Sequence, residues 1–77
     1  MNQKNVKKQT DTTLARLGEN IRTLRKEKGW TQEVFAEAAN INDKEVSHIE
    51  AGNRNITIET LIKISLALKV DSTKLLN

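Results

Sequence analysis

Apolar residues recur along the chain at helical spacing, and no stretch alternates in the way a half-buried strand requires. Leu14, Leu17, Ile21 and Leu24 follow at intervals of three, four and three, which places them on one stripe of a helix. The spacing predicts a first helix starting between Thr12 and Leu17 and running to Lys28, with Gly29 as its stop. Gly18 argues for the later start, because a helical glycine costs about 1 kcal/mol relative to alanine. Lys26 and Lys28 suit the negative end of the helix dipole. Thr31 is a suitable N-cap for a second helix, with Glu33 in its first turn. Trp30, just before it, is placed to pack across the junction of the first two helices.

Residues 40–42 read as a turn. Asn42 caps a third helix reaching about Ala51, with Glu45 completing a capping-box-like pair, and Gly52 ends it. A polar loop at residues 53–56 follows. Thr57 then caps a fourth helix to Leu68, whose inner stripe is Ile58, Leu61, Ile64 and Leu68. Asp71 caps a short fifth helix over residues 72–76. With no proline, no strand pattern and no internal repeat, the predicted fold class is all-α.

The most specific pattern lies in residues 31–52. Counting Gln32 as one, Phe35, Ala39, Ile41, Val46 and Ile49 fall at four, eight, ten, fifteen and eighteen, with the small Ala36 at five. Such offsets point inward from two short helices crossing steeply, and the alanine lets them approach closely. Asn40 stands where the turn needs a left-handed backbone, a role for which asparagine is second only to glycine. This is the pattern of a DNA-binding helix-turn-helix.

At 77 residues the chain is one domain at most, with no room for a second, effector-sensing domain. The absence of cysteine excludes a disulfide framework, and one histidine cannot build a metal cluster. No apolar run approaches a membrane span and no secretory leader is evident, so the expected location is cytoplasmic. Residues 1–11 are polar apart from Val6 and read as a flexible basic tail, or alternatively as a basic arm along a DNA groove; the domain proper is expected over residues 12–77. The net charge is +3, but residues 31–51 hold one base, Lys44, against five acids. A nucleic-acid binder draws much of its affinity from phosphate neutralisation, so the charge must come from the flanks.

From about Leu17 to Leu76 the chain resembles the Cro/CI-type, or xenobiotic-response-element, helix-turn-helix regulators, in the order and spacing of IRTLRKEKGWTQEVFAE, NINDKEVSHIEAG and NRNITIETLIKISLALKV. The resemblance implies a compact five-helix, lambda-repressor-like domain that regulates transcription by binding a near-palindromic operator as a homodimer. It implies that Thr31 and Gln32, at the start of the second helix, meet the DNA backbone, as do Asn53, Arg54 and Asn55 in the following loop. Arg25 and Glu50 correspond to an internal ion pair. Asp43, Lys44, Ser47 and His48 would face base edges, where the commoner relatives place Gln, Arg, Ser or Tyr. Lys44 suits guanine O6 and N7, and Asp43 suits cytosine N4. Glu45 reads as a first-turn acid favourable to the dipole.

Ile62 and Leu66 lie off the inner stripe and, with Leu75 and Leu76, are expected to form a two-fold interface. The NRNITIETL segment and the small size resemble controller proteins of restriction-modification systems, and also small phage repressors. An interaction module, such as an antitoxin holding a toxin on its fourth and fifth helices, is the alternative. Ser47, His48 and Glu50 share one helix and diverge around it, and no phosphate loop or metal spacing is present, so neither an enzyme nor a cofactor is expected.

Overall fold

A computed structural model of the chain, described over residues 3–77, consists of five helices: α1 (Gln3–Glu27), α2 (Gln32–Ala39), α3 (Asp43–Glu50), α4 (Ile58–Leu68) and α5 (Ser72–Leu76). The described residues contain no strand. α1 packs against α3 and α5, while α2 packs against α3 and α4. The core gathers Leu17 and Ile21 from α1, Phe35, Ala36 and Ala39 from α2, Val46 and Ile49 from α3, Leu61, Ile64 and Leu68 from α4, and Leu75 from α5. Each of the larger side chains contributes about 1.5–3 kcal/mol by leaving water.

Local chemistry sets the helix ends. Thr31, Asn42, Thr57 and Asp71 all adopt extended backbone and accept a hydrogen bond from the first turn they cap. Asn42 accepts from Lys44 N at 2.7 Å, and Glu45 makes no reciprocal bond, so the expected capping box is not formed. Among the described residues, two other than glycine take the left-handed backbone: Asn40 (φ 56°) closes α2, and Lys69 (φ 58°) closes α4. Trp30 stacks on Phe35 with ring centres 6.2 Å apart, with Lys28 Nζ 5.3 Å from the Trp30 ring centre. That tryptophan staples the α1–α2 junction.

Four further features depart from the sequence reading. α1 begins at Gln3, far upstream of Thr12. Glutamine and lysine are good helix formers, Lys7 pairs with Asp11 at 3.1 Å, and the Thr10 and Thr12 hydroxyls bond back to the Val6 and Lys8 carbonyls. Most of the expected tail is therefore helical; its first two residues lie outside the described residues.

Gly18 is not a weak start but a contact. A β-carbon there would run into the Ile49 and Glu50 carbonyl oxygens, the latter at 2.7 Å, so the absence of a side chain allows α1 to lie directly on the end of α3. Leu75, placed by the sequence in an interface, is fully buried. Asn20 Nδ2 donates to the carbonyls of Leu75 (2.9 Å) and Asn77 (2.8 Å), which holds α5 against α1 and turns Leu75 inward. Ile58, assigned to the inner stripe, is 70% exposed. As the first residue after the Thr57 cap it sits at the open end of α4, where no core residue covers it.

Candidate nucleic-acid interface

α3 is divided between two tasks. Val46 and Ile49 anchor it in the core, and Asp43, Lys44, Ser47 and His48 stand exposed on its other side. Val46 and Ile49 are three apart, which fixes the rotation of the helix about its axis and so decides which polar residues face outward.

The far end of α3 is fixed by an ion pair. Arg25 Nε donates to Glu50 Oε2 at 2.7 Å and its Nη2 donates to Oε1 at 3.0 Å, a two-pronged contact with side chains only 9% and 4% exposed. Arg25 Nη1 also donates to the Trp30 carbonyl at 2.7 Å. Gln32 Nε2 donates to Glu50 Oε1 at 3.1 Å. The Glu50 carboxylate thus ties α1 and the first residue of α2 to the end of α3, and Arg25 extends the network to the α1–α2 turn. Among the described residues no buried side-chain nitrogen or oxygen lacks a partner. Glu50 is consequently absent from the outward face, which lowers the acidity of that face.

Thr31, at the cap of α2, is exposed and Gln32 is half-buried. Both stand where the free N–H groups of the α2 start lie, a setting suited to an anion. Arg22 of α1, Gln32 and Ser47 line one open crevice with Ala51 beside the ion pair. The place of Arg22 beside Gln32 and Ser47 follows from the packing of α1 on α3. Asn53, Arg54 and Asn55 are exposed in the loop after α3, and Gly52 (φ +74°) turns the chain so tightly over α1 that a β-carbon there would lie 3.1 Å from the Ala15 Cα.

The outer side of α4 has a different character. Ile58, Ile62 and Leu66 recur every four residues and are 70%, 47% and 72% exposed. Leu76 of α5 is exposed as well. Ile58 therefore takes the place in this apolar row that the sequence reading gave to Leu75. The i, i+4 series with Ile62 and Leu66 was the signal that could have found it. Among the described residues no cluster of His, Cys, Asp or Glu suits a metal ion, and no helix is long and apolar enough to cross a membrane.

Comparison with known proteins adds four likenesses. A family model described as helix-turn-helix matches residues 21–75. An uncharacterised HTH-type transcriptional regulator of Sinorhizobium fredii is 37% identical over 59 residues, covering 77% of either chain. The control protein C.SmaI of Serratia marcescens is 35% identical over 60 residues, covering 78% of this chain and 71% of its own. Among solved structures, the restriction-modification controller protein C.AhdI from Aeromonas hydrophila superposes with a TM-score of 0.78 at 31% identity, over 80% of this chain and 94% of its own.

Proposed function

The chain belongs to the helix-turn-helix family and is a DNA-binding regulator of that kind; on that premise we propose that it binds a near-palindromic operator as a homodimer and responds to its own concentration. The observation that carries the reading is the division of α3, with Val46, Ile49 and Glu50 committed to the fold and Asp43, Lys44, Ser47 and His48 left outward. A helix so held enters a major groove with its side chains against base edges. Lys44 donates to guanine O6 and N7, Asp43 accepts from cytosine N4, and Ser47 and His48 complete the face. Thr31, Gln32, Asn53, Arg54 and Asn55 position the backbone on either side. The names of C.SmaI and C.AhdI support a controller-type regulator.

The dimer rests on Ile58, Ile62, Leu66 and Leu76, a row of exposed apolar side chains on a small domain. Two copies joined there place two α3 helices on one duplex, and half-sites about one DNA turn apart follow.

Selection from random duplex DNA followed by mobility shift tests the whole. Enrichment of an inverted repeat is the expected result; failure to enrich any palindrome at low salt sinks the reading. If the protein sediments as a monomer both free and on DNA, the apolar row belongs to a different protein partner, such as a toxin.

A further inference from the structure

The N-terminal third of α1 takes no part in the core. Residues 3–9 and 11–13 are exposed, and the helix-turn-helix match covers only residues 21–75. Yet the helix is continuous from Gln3 to Glu27, so every side chain on the extension has a direction fixed by the part that is packed. Lys4 and Arg22 are 18 residues apart, which is five turns at 3.6 residues per turn and about 27 Å along the axis. They therefore lie on one line of α1, and Lys8, Ala15 and Lys26 fall within about 40° of that line at 100° per residue.

Two contacts show which way the line faces. Arg22 borders the crevice it shares with Gln32, Ser47 and Ala51. Ala15 meets Gly52 at the end of α3. The line thus runs along the side of α1 that adjoins the start of α2 and the outer face of α3. The extension also passes the loop after α3, where Asn55 shares a cleft with Val6, Gln9, Thr10, Thr13 and Leu14; those residues stand about 140–280° round the helix from Lys4, so the lysine line is directed by Arg22 and Ala15 and not by this cleft. Of its lysines, Lys7 is paired with Asp11, whereas no ion pair among the described residues holds Lys4 or Lys8.

Resting on the functional reading above, we propose that the α1 extension is a second, rigid DNA-backbone contact, in which Lys4 and Lys8 meet duplex phosphates on the flank of the half-site that α3 reads. Charge complementarity selects this occupant. The helix-turn-helix segment itself carries a net negative charge, whereas duplex DNA offers one negative charge per about 1.7 Å to a cation row aligned with its side of the molecule. The contact adds affinity to every sequence and leaves the choice of base to α3.

The test is the salt dependence of binding by the full chain, measured by fluorescence anisotropy on the selected operator and on an unrelated duplex of equal length. Each phosphate contact contributes about 0.9 to the slope of log K against log salt. The double variant Lys4→Gln/Lys8→Gln should lower that slope by about 1.8 on both duplexes. A second variant inserts one alanine between Thr12 and Thr13, which keeps the charge but turns the lysines about 100° off the line. It should lose the same slope, and circular dichroism should show both variants folded.

A full loss in the lysine variant with none in the insertion overturns the rigid contact in favour of an undirected basic arm. An unchanged slope in both, with normal operator binding by the parent chain, overturns the proposal and leaves the functional reading intact. If the lysine variant instead weakens the dimer in sedimentation while the DNA slope holds, the lysines serve the second copy and the proposal fails. Absence of DNA binding by the parent chain is the separate result that removes the functional reading, and this one with it.

Discussion

α3 and α4 are built alike and present opposite kinds of surface. Both begin at an extended N-cap whose side chain accepts from the first turn, and both bury one apolar stripe. They differ in what remains outside: Asp43, Lys44, Ser47 and His48 on α3, and Ile58, Ile62 and Leu66 on α4. Polar groups with directional donors and acceptors discriminate between partners that differ in hydrogen-bond pattern, as base edges do. An apolar row has no such direction and is satisfied by removal from water against a matching surface. The difference also reaches inward. α3 is fixed by a charged network that leaves its outer face free, whereas α4 is buried by apolar packing, its polar side-chain contacts being the cap, the Ser65 hydroxyl, which donates to the Ile62 carbonyl, and an exposed Glu59–Lys63 pair at 3.6 Å.

The largest effect should come from removing that network. Glu50→Ala leaves Arg25 buried and without its carboxylate, at a cost of about 3–5 kcal/mol. Thermal denaturation followed by circular dichroism should show it, at roughly 4–8 °C per kcal/mol for a domain of this size. The double change Arg25→Met/Glu50→Leu should recover much of that loss, because the unpaired charge is gone. A Glu50→Ala melting point within a few degrees of the parent would show that α3 does not depend on the pair.

Next in size is the outer face of α4. Ile62→Asp/Leu66→Asp should weaken self-association by roughly a hundredfold, as expected for interface residues worth about 2 kcal/mol or more, with little change in the monomer's melting. Sedimentation equilibrium measures it. The outer face of α3 should behave in the converse way. Lys44→Ala should cost about 1–3 kcal/mol on the preferred operator, relax selectivity at one base position and leave self-association alone. Equal losses on all sequences would make Lys44 a phosphate contact instead.

A smaller and uniform effect is expected from Arg54→Ala, which should flatten the salt slope by about 0.9 without altering the enriched motif. Smallest is the α5 cap. Bonds from the Thr73 backbone N–H and, secondly, its hydroxyl hold the Asp71 carboxyl below its ordinary range. A depressed folded value gives stability that is present above the unfolded pKa and is lost as pH falls through the folded one. The melting point should therefore drop in strong acid, and Asp71→Asn should reduce that drop while keeping the cap.

Much of this was legible because it is local. Asn40, Thr31, Asn42, Thr57 and Asp71 announce their turns and caps by side-chain chemistry that acts over two or three residues. The stripe Leu14, Leu17, Ile21 and Leu24 needs only the helical period. The extension of α1 to Gln3 was missed because an exposed polar helix has no apolar stripe to reveal it. Gly18 was misread because its value lies in the carbonyls of another helix, 31 and 32 residues away in sequence.

The sequence by itself determined an all-α chain, its turn at Asn40, the helix starts at four caps, and the side chains offered on α3. These follow from period and capping, which neighbouring residues settle among themselves. Only the tertiary structure decided that Leu75 lies inward and Ile58 outward, that Glu50 joins Gln32 as well as Arg25, and that Lys4 shares a line with Arg22 on the side of α3. The physical reason is common to all three. Which face of a helix is covered, and which charge is neutralised, depends on the element that arrives against it, and no stretch of chain specifies that alone.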